Sequence, residues 1–75
     1  MALVIKMGEG FKNRHTIHKK TECSYFIFIG PDGRKYLQFE TTGSDDREFT
    51  GKVSQSLQFS PESIQQLKEL LNQKF

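Results

Sequence analysis

The chain has 75 residues, 35% of them hydrophobic, with 11 Lys and Arg against 9 Asp and Glu and a formal net charge of +2. That length allows one domain, 1–75, with a small core, and domains of this size are often marginal unless they dimerise or bind a metal. A lone cysteine, Cys23, excludes a disulfide framework; with no apolar run of membrane-spanning length and no cleavable signal pattern at the N-terminus, the expectation is an intracellular protein, cytoplasmic or nucleoid-associated.

Residues 2–7, ALVIKM, read as a first strand, broken by Gly8 and Gly10. Residues 11–20, FKNRHTIHKK, are polar and basic and fit an exposed edge strand or a mobile loop. Residues 21–29, TECSYFIFI, form the strongest strand in the sequence, filled with aromatic and β-branched side chains and free of breakers. Gly30-Pro31-Asp32-Gly33 then predicts a hairpin with a three-residue loop, 31–33: Pro suits the first central turn position and Gly33 the left-handed residue that makes a bulge. Residues 34–42, RKYLQFETT, return as the third strand, and residues 43–50 make a polar connection.

In the last stretch, residues 51–75, a strand turns directly into a helix. Val53, Leu57 and Phe59 alternate with Ser54, Ser56 and Gln58. Ser60 is a good N-cap, Pro61 fits the first helical position, and Phe59 and Ile64 have the spacing of a hydrophobic staple. Ile64, Leu67, Leu70 and Leu71 form the apolar stripe of a helix that needs a sheet to lie on. The order is ββββα: an α+β fold with a small antiparallel four-stranded sheet and one C-terminal helix.

The hairpin loop sets a register. Gly30 faces Arg34, Ile29 faces Lys35, Ile27 pairs with Leu37 and Tyr25 with Phe39. Side chains alternate, so Tyr25, Ile27, Ile29, Leu37 and Phe39 share one face, and Phe26, Phe28, Arg34, Tyr36, Gln38 and Glu40 share the other. One helix covers one face. The aliphatic set makes the better core, so Tyr25, Ile27, Ile29, Leu37, Phe39, Leu57 and Phe59 are expected to be buried against Ile64, Leu67 and Leu71. The aromatic and polar set would stay outside, where aromatics beside cations usually mark an interface. A loop one residue different would exchange the two faces.

Charge is uneven: up to Tyr36 there are seven cations (Lys6, Lys12, Arg14, Lys19, Lys20, Arg34, Lys35) against three acids (Glu9, Glu22, Asp32). A basic half points to a polyanion, although a solvated basic surface is common. Lys12, Arg14, Lys19, Lys20, Phe26, Phe28, Arg34, Lys35 and Tyr36 combine rings that can stack bases with cations that can track phosphates, the means by which single-stranded nucleic acid is held. The helix carries few cations, which disfavours major-groove reading by it. His15 and His18, spaced H-x-x-H with Cys23 nearby, lack a fourth zinc ligand and sit in a basic segment, so no metal site is expected. Asp45, Asp46 and Glu48 could in principle hold magnesium, but an exposed acidic loop fits them better. Cys23 reads as a small buried hydrophobe. No phosphate loop or catalytic triad spacing occurs, so no catalytic residues and no cofactor are expected.

The second half resembles a known family. GRKYLQFE at 33–40, Gly51-Lys52, Ser56-Leu57-Gln58-Phe59, Ser60-Pro61-Glu62 and Gln66-Leu67-Lys68-Glu69 are similar to the transcriptional coactivators called positive cofactor four, over roughly residues 25–71. The resemblance implies an intertwined homodimer of curved four-stranded sheets with helices at the dimer interface, binding single-stranded DNA without catalysis. By position its binding residues fall on Arg34, Lys35 and Tyr36. The chain departs from the family at Pro31 and Asp32, where the family carries an aromatic residue and a lysine, and in the long connection with Asp45 and Asp46. The expected function is non-catalytic binding of single-stranded DNA or RNA, in transcription or DNA processing, by a homodimer formed through the C-terminal helix. The alternatives are a small protein-binding module or inhibitor using the exposed aromatic face, and a duplex-DNA reader that lays a three-stranded sheet in the major groove.

Overall fold

The computed structural model describes residues 1–42 and 53–75. Four strands, β1 (Ala2–Val4), β2 (Cys23–Ile29), β3 (Lys35–Thr42) and β4 (Val53–Phe59), form one sheet in the order β1-β4-β3-β2, followed by helix α1 (Pro61–Lys74). The ββββα, α+β architecture is as the sequence predicts. Strands β2, β3 and β4 run antiparallel, while β1 joins β4 in parallel, so the sheet is mixed rather than wholly antiparallel. No tight turn links β1 to its neighbour, so nothing local fixes its direction. It is also shorter than the expected 2–7. At Met7 the backbone N–H instead donates to Gln66 Oε1 at 2.8 Å, and Gln66 Nε2 donates to the Met7 carbonyl at 3.3 Å. The polar connection with Asp45, Asp46 and Glu48 lies outside the described residues.

The hairpin has the expected loop and register. Gly33 sits at φ 76°, the left-handed conformation that glycine adopts without a Cβ penalty. Gly30 N–H donates to the Arg34 carbonyl at 2.8 Å and Gly33 N–H to the Gly30 carbonyl at 3.0 Å. Ile29 then pairs with Lys35, Ile27 with Leu37 and Tyr25 with Phe39. Through β4 the same face continues with Leu57 opposite Phe39 and Phe59 opposite Leu37.

The helix starts as its sequence dictates. Ser60 is extended (φ −71°, ψ 164°), its Oγ accepts from Ser63 N–H at 3.3 Å, and Pro61 follows at the first helical position. The fully buried Ser63 donates its Oγ to the Val4 carbonyl at 2.7 Å, and Ser60 N–H donates to the same carbonyl at 3.1 Å. These bonds tie the strand-to-helix junction to β1.

From there α1 packs mainly against β3 and β4. Phe59, 6% exposed, is the buried hydrophobic residue among those described, and its ring meets Phe39 edge-on at 5.6 Å. Its burial marks the aliphatic face as the covered one. Leu37, Phe39, Ile64 and Leu67 are half-buried around it.

The rest of the expected core stays open. Tyr25 is 69% exposed, Ile27 and Ile29 are each 62% exposed, and Leu57 and Leu71 are also exposed. Cys23, expected to be buried, is exposed on the same strand. The reason is geometric. A helix is about 10 Å across and strands are about 4.8 Å apart, so one helix roofs about two strands. Strand β2, at the sheet edge on the far side of β3, lies beyond that roof.

Candidate nucleic-acid interface

On the face opposite Phe59, alternation places Phe26, Phe28, Tyr36, Gln38, Glu40 and Gln58 together. Phe28 and Tyr36 are cross-strand partners and stack at 5.6 Å between centroids and 17° between planes. Phe26, two residues back on the same strand, is 46% exposed, and Phe28 is 36% exposed. The result is an aromatic cluster on this face, with Phe26 and Phe28 exposed and Tyr36 half-buried.

The hairpin tip holds this platform in place. Tyr36 donates its hydroxyl to Asp32 Oδ2 at 2.6 Å, while Asp32 Oδ1 accepts the Arg34 N–H at 3.0 Å. A Cβ on Gly30 would come within 2.6 Å of the Tyr36 ring, so a side chain at 30 would displace that ring. The Tyr36 hydroxyl and then the Arg34 N–H hold the Asp32 carboxyl below the usual carboxylate range. The same hydrogen bond to Asp32 raises the Tyr36 phenol above its ordinary value. Asp32 thus orients Tyr36 from the hairpin tip.

Arg34 is engaged as well. Its guanidinium donates to Glu62 in the first turn of α1, both side chains remaining largely exposed. That pairing raises the Arg34 pKa and lowers the Glu62 pKa. An incoming phosphate would compete with Glu62 for this cation.

Behind Phe26 the face becomes polar. Gln38 Nε2 donates to Glu40 Oε2 at 2.5 Å, and Gln58 Nε2 donates to Gln38 Oε1 at 2.8 Å. Both glutamines are half-buried.

The structure therefore brings together Phe26, Phe28 and Tyr36, with Arg34 at the hairpin end. It does not bring Lys35 to them: Lys35 pairs with Ile29, on the aliphatic face. Lys12, Arg14, Lys19 and Lys20 lie in residues 5–22, which form no strand or helix, and all four are exposed. Among the described residues no three His, Cys, Asp or Glu side chains form a group able to hold a metal. No helix among them is long and apolar enough to cross a membrane. Sequence reasoning missed Asp32, Glu62, and the Gln38, Glu40 and Gln58 row. For the row a signal existed, since strand alternation already put Gln38 and Glu40 beside the aromatics. For Glu62 there was none, because its contact spans distant parts of the chain.

No family model, curated protein or solved structure matches the chain.

Proposed function

We propose that this chain is a non-catalytic single-stranded nucleic-acid-binding protein, a cofactor of transcription or DNA processing, that works as a homodimer. One observation carries the reading: Phe26 and Phe28 stand exposed on one sheet face, two residues apart, beside a Tyr36 held by Asp32. Successive residues on one face are roughly 6.8 Å apart, a spacing that consecutive unstacked bases can follow. Arg34, and the cations Lys12, Arg14, Lys19 and Lys20 of the exposed arm, would meet phosphates; Lys35 would serve only from the far side of the hairpin.

Homodimerisation is supported by surface left uncovered. Tyr25, Ile27 and Ile29 line the edge strand, while Leu70, Leu71 and Phe75 on the helix are 45%, 49% and 96% exposed. A chain of 8.7 kDa with one buried hydrophobic among its described residues is short of core for a stable monomer. The same apolar row favours the rival reading, a protein-binding module, in which a different protein covers the row instead of a second copy of this chain.

The test is a fluorescence titration with labelled single-stranded oligonucleotide at two salt concentrations. Binding that weakens steeply with salt is the expected result, because phosphate contacts release counterions. Absence of binding at low salt moves the assignment to the protein partner. Competition by unlabelled single strand but not by duplex separates the proposal from a duplex reader.

A further inference from the structure

The aromatic platform would hold bases of any kind. The polar row beside it has a chemistry that would not treat them alike. Phe26, Gln38 and Gln58 are direct cross-strand partners in one line across β2, β3 and β4, and Glu40 is two residues along β3 from Gln38.

One charge sets the proton order of this row. An ionised carboxylate only accepts hydrogen bonds, so the amide nitrogen of Gln38 must face Glu40. The Gln38 oxygen must then face Gln58 and accept from its nitrogen. Gln38 cannot turn over without losing both bonds. Among the described residues these are the side-chain hydrogen bonds of the row. The unused capacity follows by subtraction. The groups that these two bonds do not use are one N–H of each glutamine, an oxygen of Glu40, a lone pair of Gln38 and the carbonyl oxygen of Gln58. The row is rich in acceptors and carries a negative charge at one end.

We infer that the Gln38, Glu40 and Gln58 row selects adenine and cytosine, whose pairing edge sets an exocyclic amine beside an acceptor ring nitrogen, over the keto base thymine or uracil, when a base stacks on Phe26. This rests on the single-strand reading. An amine donates to the spare acceptors, while the adjacent ring nitrogen of adenine or cytosine can accept one spare glutamine N–H. Carboxylate accepting from the cytosine amine and glutamine paired with adenine are both known modes of base recognition. Thymine presents a carbonyl oxygen at the position of the cytosine amine, facing the carboxylate. Glu40 also repels phosphate, which directs the backbone toward the Arg34 end and the base edges toward the row.

The experiment compares oligo(dC) with oligo(dT), each about ten nucleotides long, a typical single-strand site size. Both are pyrimidines, so stacking area is matched and the edge chemistry differs. The wild-type chain is expected to bind oligo(dC) about fivefold or more tightly, the low end for one specific base contact. Gln38→Leu should bring the ratio close to one, chiefly by weakening oligo(dC). Glu40→Gln should tighten oligo(dT), because a repulsive charge is removed, and narrow the ratio. Melting curves on both variants confirm that the fold is intact, and Glu40→Gln keeps the side-chain shape should Gln38→Leu fail to fold. Equal wild-type affinities, or a ratio unmoved in Glu40→Gln, overturn the selectivity while leaving single-strand binding in place. No binding to either oligonucleotide by the wild type overturns both.

Discussion

The two faces of this sheet solve the same problem differently. On the face of Phe26, Phe28 and Tyr36 the side chains hold one another: a ring stacks on a ring, a phenol bonds a carboxylate, and two amides are ordered by a third group. On the opposite face the helix buries Phe59 and then runs out, leaving Tyr25, Ile27 and Ile29 without cover. The first face is preorganised, which lowers the ordering cost of binding a ligand. The second is an unfinished core. The lesson is that the aromatic face is ordered as it stands, whereas the aliphatic face leaves apolar surface that a second apolar surface would cover.

The sharpest test of that difference is stability. Phe59→Ala removes the buried ring and should cost about 3–5 kcal/mol, enough to unfold most of a domain this small. Phe28→Ala removes an exposed stacked ring and should cost about 0.5–1.5 kcal/mol. Chemical denaturation of the two variants side by side checks it. Equal losses would mean that the platform is part of the core.

Next in size is assembly. Ile27→Asp puts a charge in the middle of the uncovered row. Where a second copy covers that row, the charge should drive the chain to monomer; a solvated row would tolerate it within about 0.5 kcal/mol. Leu70→Asp asks the same of the helix. Sedimentation of both variants at tens of micromolar shows which surface makes the dimer, and a monomeric wild type would remove the dimer altogether.

Third is affinity. Tyr36→Ala should weaken oligonucleotide binding by roughly 1–3 kcal/mol and leave the salt slope unchanged, since stacking releases no counterions. Arg34→Ala should flatten the salt slope by about one counterion. Glu62→Gln should do the reverse of Arg34→Ala in affinity, tightening binding because the guanidinium no longer has a competing partner. Unchanged affinity in both Tyr36→Ala and Arg34→Ala would remove the site.

What was legible in the sequence was local. Gly33 after Pro31-Asp32 set the loop, the loop set the register, and the register sorted every β2 and β3 side chain onto its face. Ser60-Pro61 set the helix start in the same way. What was not legible was extent. Alternation says which face Ile27 and Ile29 occupy, but how far a helix reaches across a sheet depends on its crossing position, which no local spacing encodes. The site divided along the same line. Phe26, Phe28 and Tyr36 were placed by period, whereas Glu62 reaches Arg34 across 28 positions and Asp32 reaches Tyr36 only because the turn folds it back.

The smallest expected effect is also the most local, the titration of the hairpin tip. Asp32 and Glu62 have depressed pKa values, so what they contribute to stability is present above the ordinary carboxylate value of about 4 and fades as pH falls through their lower folded values. Tyr36 has a raised pKa, so its contribution is present below the ordinary phenol value of about 10 and fades as pH rises through its higher folded value. Between those limits the tip should be insensitive to pH. The chain has two tyrosines, so in a Tyr25→Phe background the remaining phenol reports on Tyr36 alone. Its phenolate absorbance should appear at higher pH than in a free tyrosine, and Asp32→Ala should return it toward the ordinary value. Should Tyr36 titrate identically with and without Asp32, the hydroxyl is not held by the turn. The rigid half of the comparison would then reduce to the Phe28 stack and the amide row.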